Sequence, residues 1–468
     1  MIPMRLSAIA AATGGTLHGA AGDAPDDVLV DGPVVTDSRR CGPAGLYVAR
    51  IGEHADGHDF VPDAAGRGAV AALAAHPVDE LPSVVVDDVD AAFGRLARAV
   101  LDAVQDVTVV AVTGSSGKTS TKDLLAQVLP ALGATVAAEA SYNSEIGVPL
   151  TVVRVDPDTR YLVVEMGARG PGHLSHLTGI APPDISVVLN VGTAHVGEFG
   201  SREAVAKAKS ELVQALSPSG LAVLNADDPA VAAMADLSQA PVVLVGRGPR
   251  AQVRAERVEL RSGARPAFVL VSDLAAAPGR APVQLELHGE HHVDNALAVA
   301  AVCLSLGLPV IETAERLSRA GPTSRWRMEV VERPDGVTVV NDAYNANPES
   351  MRAALRALVA MAPGRRTWAV LGEMRELGPS SAPEHAALAE VAARLGVSRL
   401  VVVGEGARAA YDAALLSSTW QAPPMLVPDT EAAYEAVSAE LAEGDVVLLK
   451  SSRDSGLRFL GERLAAGA

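Results

Sequence analysis

The chain has 468 residues, of which 49% are apolar and 20% are charged, and its formal net charge is −17. This length predicts about three domains, and the composition is typical of a globular protein rather than a disordered one. The negative charge argues against a nucleic-acid partner, since phosphate backbones are bound by clustered Lys and Arg. The two cysteines, Cys41 and Cys303, argue against a disulfide framework.

Residues 1–103 are predicted to form a small mixed α/β domain. Residues 6–12 favour an ordinary short helix over a secretory signal. A short strand is expected at residues 84–86, and a helix at residues 91–104 leads into the next unit. No stretch approaches the ~18 consecutive apolar residues of a membrane span. A soluble, cytoplasmic protein is therefore expected, and the scarcity of cysteine fits a reducing cytosol.

Residues 104–320 are predicted to form a central domain with a parallel sheet. The segment VTVVAV has the pattern of a buried strand, the glycine turn TGSSGKTS follows it, and TKDLLAQVLPAL reads as a long helix. Further buried strands are expected at residues 161–164, 185–189 and 221–224. Ligands of such sheets collect at the carboxyl ends of the strands, so functional residues are expected there.

Residues 321–468 are predicted to form a third, Rossmann-like domain. Its candidate strands alternate with helical segments and lie at residues 337–340, 368–371, 400–403 and 446–449. No GxGxxG segment follows any of them, so this domain carries no dinucleotide-binding signal. The predicted fold is α/β throughout.

The strongest local signal for chemistry is the segment from Thr113 to Thr119, which stands between the predicted strand and helix. Glycines allow backbone N–H groups to face phosphate oxygens, Lys118 neutralises phosphate charge, and the Thr119 hydroxyl can bind Mg²⁺. The full Walker pattern would place glycine where the chain has Val112, so this is the shorter GxxGK[ST] form. The alternative is a glycine turn with an incidental lysine, but the flanking strand and helix favour nucleotide binding.

Four further side chains are candidates for metal binding or catalysis in the central domain. Glu165 ends a predicted buried strand, where a carboxylate could hold the Mg²⁺ that bridges phosphates. The alternative is a surface glutamate at a strand end, but the buried apolar strand before it favours a ligand. His195 lies in the loop NVGTAHVGEFGS and is by itself as compatible with an ordinary polar loop. Lys207 and Lys209 follow on a predicted helix, where a solvated charged face would explain both.

A dense group of hydrogen-bonding side chains follows the first long strand of the third domain. Asp342, Tyr344, Asn345 and Asn347 lie in VVNDAYNANPESM, directly before a predicted helix. Helix capping by Asn347 and the following proline explains part of this pattern. The remaining polar side chains indicate a ligand contact.

Several separated segments together resemble one family, the Mur ligases. The early segment TDSRRCGPAGLYVARIGEHADGHDFVPDAAGRGAVAAL is similar to the family's UDP-recognition domain. The segments that follow in the family's order are TGSSGKTSTKDLL, SYNSEIGVPL, VVEMGARGPGHL, NVGTAHVGEFGS, AKAKSEL, GEHHVDNALA, WRMEV, NDAYNANPESM, LGEMRELG and KSSR. The resemblance spans nearly the whole chain. YNANP and LGEMRELG resemble the branch that adds D-alanyl-D-alanine, and the DNPR segment of the branch that adds the third amino acid is absent.

This resemblance implies a three-domain, ATP- and Mg²⁺-dependent ligase that joins D-alanyl-D-alanine to a UDP-N-acetylmuramoyl-tripeptide through an acyl phosphate. It assigns catalytic roles to Lys118, Lys209, His195 and Arg327. Thr119, Glu165, His195 and Lys209 would bind metal, with Lys209 as its carbamate. The nucleotide would contact Gly114, Ser115, Ser116, Gly117, Lys118, Thr119, Ser120, Asn143, Asn295, Arg327 and Asp342. Thr36, Ser38 and Arg39 would bind the uridine nucleotide, and Tyr344, Asn345 and Asn347 would contact substrate.

Three residues depart from the family pattern: Ser144 and His292 each replace an Asn, and Ser451 replaces a Gly. The first and third departures affect individual contacts and leave the phosphate and metal set intact. The protein is expected to be a monomer, and closure of the third domain is expected to bring Arg327 and Asp342 to the nucleotide. Three rival functions remain open: the branch that adds the third amino acid, a folate polyglutamating enzyme, and a nucleotide-dependent binding protein without ligase chemistry.

Overall fold

Three larger β-sheets, each flanked by helices, follow one another along the chain. The computed structural model describes residues 1–19, 26, 28–193, 196–418 and 420–467. Because aromatic residues are scarce, the interiors of all three parts are filled mainly by Ala, Val and Leu. The fully buried Trp368 is the largest exception.

The first sheet is mixed and small. Its strands are β2 (Thr16–His18), β4 (Val34–Val35), β5 (Gly45–Val48), β6 (Ala69–Ala74) and β7 (Ser83–Val85). A separate antiparallel pair consists of β1 (Met4–Arg5) and β3 (Leu29–Val30). The helices are α1 (Leu6–Thr13), α2 (Val61–Gly66) and α3 (Val89–Ala103). The strand predicted at 84–86 and the helices predicted at 6–12 and 91–104 are confirmed, each with slightly shifted bounds.

Helix α3 joins the first sheet to the central one. The Asp88 side chain accepts a hydrogen bond from the Ala91 N–H at 3.0 Å, which satisfies one of the free amides at the helix start. The apolar face of α3, including Phe93, Leu96 and Val100, lies in one hydrophobic core that continues into the central region. Packing of this helix therefore fixes the first sheet against the second.

Within the described residues, the central sheet has nine strands. They are β8 (Thr108–Thr113), β9 (Thr135–Ala137), β10 (Tyr161–Glu165), β11 (Ile185–Val188), β12 (Leu221–Asn225), β13 (Val242–Gly246), β14 (Val253–Arg261), β15 (Arg265–Ser272) and β16 (Gly279–Gln284). Their order is β16-β15-β14-β13-β12-β11-β8-β10-β9. The parallel sheet predicted from VTVVAV onward is confirmed, and an antiparallel extension, β14-β15-β16, lengthens one edge.

Strand β8 marks the point where the order of the parallel strands reverses. It pairs with β10 on one side and with β11 on the other, both in parallel. The connections that leave β8 and its neighbours therefore diverge at their carboxyl ends and open a crevice there. The segment predicted to bind phosphate begins at the end of β8, inside that crevice.

The helices of this region are α4 (Lys118–Val128), α5 (Gly147–Val152), α6 (His173–Ile180), α7 (Val196–Phe199), α8 (Arg202–Gln214), α9 (Pro229–Ala232), α10 (His292–Ser305) and α11 (Val310–Arg319). Helix α10 is apolar on almost every side and is buried along nearly its whole length. None of the described helices is long and apolar enough to cross a membrane.

In the part of the chain that the structure describes, the third sheet has six strands in the order β17-β18-β22-β19-β20-β21, with β17 antiparallel and the others parallel. These are β17 (Glu329–Glu332), β18 (Thr338–Asn341), β19 (Thr367–Leu371), β20 (Arg399–Val403), β21 (Met425–Val427) and β22 (Val446–Lys450). The helices are α12 (Pro348–Met361), α13 (Ser381–Arg394), α14 (Arg408–Leu415), α15 (Thr430–Ser438) and α16 (Leu457–Ala466). The four strands predicted here are confirmed.

Candidate active site

A cavity of about 1130 Å³ lies where the carboxyl ends of the central and C-terminal parallel strands face each other. Its wall includes the loops after β8, β10 and β11 on one side and the loops after β18, β19 and β22 on the other. Most of the residues proposed from the sequence line it: Thr36, Gly114, Ser115, Ser116, Gly117, Lys118, Thr119, Ser120, Asn143, Glu165, Lys209, Asn295, Arg327, Asp342, Tyr344, Asn345 and Asn347.

The glycine loop between β8 and α4 has the backbone shape that a phosphate-binding loop requires. Gly117 adopts a φ of 82°, a left-handed conformation that glycine accepts at little cost. A Cβ added to Gly117 would lie 2.4 Å from Asn295 Oδ1, so α10 is packed directly against the loop. Helix α4 begins at Lys118, which places its free N–H groups at the cavity.

Asn190, a residue that the sequence analysis did not single out, holds this loop in place. Its backbone carbonyl accepts from Ser115 N–H at 3.1 Å, and its Oδ1 accepts from Ser116 N–H at 2.9 Å. Its Nδ2 donates to the Ser116 carbonyl at 3.2 Å. Asn190 follows β11, so the neighbouring strand carries the residue that fixes the loop after β8.

Lys118 folds back over the loop. Its Nζ donates to the Gly114 carbonyl at 2.8 Å. Burial lowers the pKa of Lys118, while the nearby Glu165 raises it. The amine thus lies over the loop, where the charge of a phosphate would stabilise its protonated form.

A buried carboxylate lies beside the loop at the end of β10. Glu165 is only 1% exposed. Its Oε2 accepts from the Thr119 hydroxyl at 2.9 Å, and its Oε1 accepts from Asn143 Nδ2 at 2.7 Å. A hydroxyl and a carboxylate so close together offer the hard oxygen ligands that Mg²⁺ prefers.

Lys209 lies in the same cavity, and no acid among the described residues is paired with it. The residue is 4% exposed, and its amine forms no hydrogen bond or ion pair with any residue in the described part of the chain. Burial, followed by repulsion from Lys118, lowers the pKa of Lys209 to about 7. A large fraction of this amine is therefore neutral near neutral pH. Lys207, on the same helix, is exposed.

The C-terminal part contributes a guanidinium to this cluster. Arg327 Nη2 donates to Ser141 Oγ at 3.1 Å and to Thr119 Oγ1 at 3.3 Å. The guanidinium also stacks 4.2 Å from the centre of the Tyr344 ring. Its neighbours Trp326 and Met328 both have positive φ angles, 59° and 51°, so a strained turn projects Arg327 into the cavity.

Asp342 is held by two groups of the C-terminal part. Its Oδ1 accepts from Met328 N–H at 3.0 Å and its Oδ2 accepts from Lys450 Nζ at 2.6 Å. Lys450 also donates to the Asn345 carbonyl at 3.0 Å. Lys450, missed by the sequence analysis, therefore ties two residues of the loop after β18, Asp342 and Asn345, to the end of β22.

The loop after β18 reaches the phosphate-binding loop through Asn347. Its Nδ2 donates to the Ser115 carbonyl at 3.1 Å, while its Oδ1 caps α12 through Ser350 N–H. The same side chain thus caps α12, as the sequence predicted, and contacts the central part, which the sequence did not predict.

Two adjacent histidines lie beside Asn295. Burial lowers the pKa of His291 to about 4 and holds the pKa of His292 well below its usual range. His292 Nδ1 lies 3.4 Å from Asn295 Nδ2, so we assign Nδ1 as the acceptor and Nε2 as the protonated nitrogen. Both rings are accordingly neutral at physiological pH.

The three residues proposed to bind the uridine nucleotide differ in whether they line the cavity. Thr36 lines the cavity, whereas Ser38 and Arg39 do not. Arg39 is paired with Asp37 through a hydrogen bond of 2.8 Å. The next residue, Arg40, reaches across to the central part and donates to Tyr142 Oη at 3.1 Å.

His195 lies outside the described residues, so the structure gives no position for it.

Besides His292, the other two residues that depart from the family pattern, Ser144 and Ser451, form local hydrogen bonds. Ser144 Oγ accepts from Ile146 and Gly147 N–H, both at 3.4 Å, at the start of α5. Ser451 Oγ donates to the Ser452 carbonyl at 3.0 Å.

Comparison with family models gives two matches. A model described as the Mur ligase middle domain matches residues 112–303, and one described as the Mur ligase, glutamate ligase domain matches residues 326–453. The UDP-N-acetylmuramoyl-tripeptide–D-alanyl-D-alanine ligase of Mycobacterium leprae is 45% identical over 99% of this chain and 98% of that protein.

Two solved structures are similar over nearly the whole chain. A crystal structure of MurF from Acinetobacter baumannii has a TM-score of 0.87 and 29% identity, and the alignment covers 99% of each chain. The MurF ligase of Thermotoga maritima, in complex with ADP, has a TM-score of 0.77 and 28% identity over 93% of this chain and 98% of that one.

Proposed function

The chain belongs to the Mur ligase family of ATP-dependent ligases, and we propose that it joins D-alanyl-D-alanine to a UDP-N-acetylmuramoyl-tripeptide in peptidoglycan precursor synthesis. The relative from Mycobacterium leprae carries the name of this activity and matches the chain from end to end. The observation that carries the proposal is the convergence of Thr119, Glu165 and Arg327 beside a phosphate-binding loop.

Each of the three parts of the chain would bind a different substrate. We assign residues 1–103 to the UDP-linked substrate, 104–320 to ATP, and 321–468 to the dipeptide. Thr36, Ser38 and Arg39 would contact the uridine nucleotide, and Tyr344, Asn345 and Asn347 would face the substrates. Asn143, Asn295 and Asp342 would contact the nucleotide. We further propose a monomeric, cytoplasmic enzyme.

The donor set around Glu165 fits Mg²⁺. Its carboxylate and the Thr119 hydroxyl provide oxygen ligands, and we propose a second site formed by His195 and a modified Lys209. Mg²⁺ bound at these residues would offset the charge of the phosphate oxygens. Asn143, which donates to Glu165, would keep the carboxylate oriented.

We propose that Lys209 carries a carbamate. The neutral amine attacks the carbon of CO₂, a nitrogen–carbon bond forms and one N–H proton leaves to solvent. The product carries one negative charge in place of a neutral amine. The lowered pKa of Lys209, about 7, supplies the neutral nucleophile, and the absence of an acid partner among the described residues leaves the amine free to react.

Acyl transfer from a carboxylate first needs a better leaving group. An oxygen of the tripeptide carboxylate attacks the γ-phosphorus of ATP, and the bond from that phosphorus to the β,γ-bridging oxygen breaks to give ADP. Lys118 and Arg327 would lie against the phosphates and offset the negative charge that develops on the transferring group. The glycine loop would hold the phosphates through its backbone N–H groups.

The second step forms the amide. The amine nitrogen of D-alanyl-D-alanine attacks the acyl carbon, the bond from that carbon to the phosphate oxygen breaks, and the amine loses a proton. Inorganic phosphate leaves with the oxygen that came from the carboxylate. Because Arg327 and Asn347 contact the phosphate-binding loop, the C-terminal part would cover the reacting groups and limit access of water.

The direct test is incubation with ATP, Mg²⁺, a UDP-N-acetylmuramoyl-tripeptide and D-alanyl-D-alanine, followed by mass spectrometry. We expect a pentapeptide product and one ADP for each amide formed. Product with a single amino acid as acceptor, on a dipeptide substrate, would instead identify the branch that adds the third residue. Nucleotide binding without turnover for any acceptor would contradict the ligase assignment.

A further inference from the structure

Glu349 connects the C-terminal part to the loop after β11, at the segment just before residues 194 and 195. We propose that Glu349 is a positioning residue, which fixes the loop after β11 and through it the phosphate-binding loop when the C-terminal part is docked. This inference rests on the proposed ligase function for its kinetic consequence, but its structural consequence can be measured without turnover.

The contact is specific on both sides. Glu349 Oε1 accepts from Thr193 N–H at 2.9 Å and from the Thr193 hydroxyl at 3.0 Å. Thr193 and Glu349 are separated by 156 residues in sequence. A Cβ added to Gly192 would lie 2.7 Å from Glu349 Cδ, so the carboxylate approaches the backbone where only glycine leaves room.

The same loop is tied to the phosphate-binding loop. Gly192 N–H donates to Ser115 Oγ at 2.9 Å, and Asn190 holds the amides of Ser115 and Ser116. A shift of Thr193 would therefore be transmitted within a few bonds to the residues that face the phosphates. Asn347, which precedes Glu349 by two positions, donates to the Ser115 carbonyl and reinforces the link.

A second C-terminal loop contacts the same segment a few residues later. Gly197 N–H donates to the Glu376 carbonyl at 3.1 Å, and a Cβ on Gly378 would lie 3.0 Å from Gly197 Cα. The segment after β11 is thus held at Thr193 by the loop after β18 and at Gly197 by the loop after β19. These two C-terminal loops are the YNANPE and GEMRELG segments of the sequence.

Helix capping explains part of this arrangement but not the contact itself. An acidic side chain in the first turn of α12 is favoured by the helix dipole, and Asn347 and Ser350 form a capping box there. That role would leave Glu349 facing solvent. Its Oε2 is instead buried and accepts no hydrogen bond from the described residues. An unpaired buried oxygen costs free energy, which the two hydrogen bonds to Oε1 would offset.

The test compares Glu349→Ala with Glu349→Gln. Glutamine keeps an acceptor for the Thr193 N–H and hydroxyl but removes the charge, whereas alanine removes both contacts. We expect Glu349→Ala to lower kcat/KM for amide formation by about tenfold to a hundredfold, and to lower the amide formed per ADP because water reaches the acyl phosphate. Glu349→Gln should restore both values to within about threefold of the wild type.

Hydrogen exchange of the wild-type protein and its variants supplies a readout that does not need turnover. We expect Glu349→Ala to raise exchange in peptides covering residues 113–119 and 190–193, and Glu349→Gln to leave it unchanged. Gly192→Ala should mimic Glu349→Ala, since its Cβ displaces the carboxylate. Glu390→Ala, an exposed glutamate on α13, is the matched control.

Two results would overturn the proposal. Wild-type exchange and kinetics in Glu349→Ala would show that the contact positions nothing. A Glu349→Gln protein that exchanges like the wild type but has lost activity as fully as Glu349→Ala would show that the carboxylate charge acts directly. If the wild-type protein forms no pentapeptide while the exchange differences appear as expected, the ligase assignment fails and the positioning role stands.

Discussion

Replacement of Lys209 by methionine removes the amine and keeps most of the side-chain volume. With a pKa of about 7, about three quarters of the amines are neutral at pH 7.5, against about one in a thousand for a lysine with the ordinary value of 10.5. The same difference means that burial and repulsion from Lys118 together disfavour the charged amine by about 5 kcal/mol. We therefore expect Lys209→Met to abolish carbamate formation without loss of folding.

The assay is phosphate release in the presence of the tripeptide substrate and D-alanyl-D-alanine. Turnover should fall by about a thousandfold or more, since a metal-binding group is lost. Carbon-13-labelled bicarbonate should give a carbamate resonance in the wild type that is missing in Lys209→Met. Lys207→Met, an exposed lysine on the same helix, is the control and should keep normal turnover.

The stability of the same variant depends on pH with a defined sign. Because the folded-state pKa of Lys209 lies below the unfolded value, the folded protein carries the penalty of a buried charge in full below pH 7, and the penalty fades as pH rises toward 10.5. In CO₂-free buffer, Lys209→Met should raise the unfolding temperature more at pH 6 than at pH 9.5. Turnover above one tenth of wild type, or a lower unfolding temperature at pH 6, would refute this reasoning.

Three further perturbations test other parts of the site. Glu165→Gln keeps the shape of the side chain but removes its charge. Phosphate release should fall by about a hundredfold or more with little change in unfolding temperature, and near-normal release would rule out a metal ligand at this position. Arg327→Lys removes the planar guanidinium and its stack on Tyr344, so kcat should fall by about tenfold to a hundredfold. An unchanged kcat would contradict the proposed contact of Arg327 with the phosphates. The lowered pKa of His291, about 4, means that the unfolded chain gains a proton first as pH falls below 6.5. Between pH 6.5 and 5 the free energy of unfolding of the wild type should therefore fall by up to about 2 kcal/mol more than that of His291→Gln, as measured by thermal unfolding. Equal losses in the two proteins would contradict burial of a neutral ring.

Local patterns predicted the elements that carry the site. The strand, glycine turn and helix around residues 113–119 are encoded within a dozen consecutive residues, and the structure places them at the reversal of strand order. Glu165 follows a short run of apolar residues that favours a buried strand, and the structure has strand β10 there. Its position beside Thr119 then follows from the parallel pairing of β10 with β8.

The residues that the sequence analysis missed act across long separations. Asn190 binds Ser116 over 74 positions, Ser141 meets Arg327 over 186, and Lys450 meets Asp342 over 108. No local pattern distinguishes such an asparagine, serine or lysine from a polar loop residue. Their roles emerge only when the sheet brings separate strand ends together.

The antiparallel extension of the central sheet was also missed, although a signal exists. The start of β14, VRAE, alternates apolar residues with charged ones, which is the period of a strand with one open face. A register shift between Glu256 and Glu259 interrupts this alternation, and the apolar run in β15 shows none. A count of alternating positions between residues 253 and 284 would have indicated the hairpins.

The central claim is that a carboxylate becomes an acyl phosphate in the cavity formed by the central and C-terminal parts. Oxygen-18 placed in the terminal carboxylate of the tripeptide substrate tests it most directly, with the released phosphate analysed by mass spectrometry. One labelled oxygen in each phosphate released during amide formation is the predicted result. Amide formation that releases only unlabelled phosphate would contradict the mechanism.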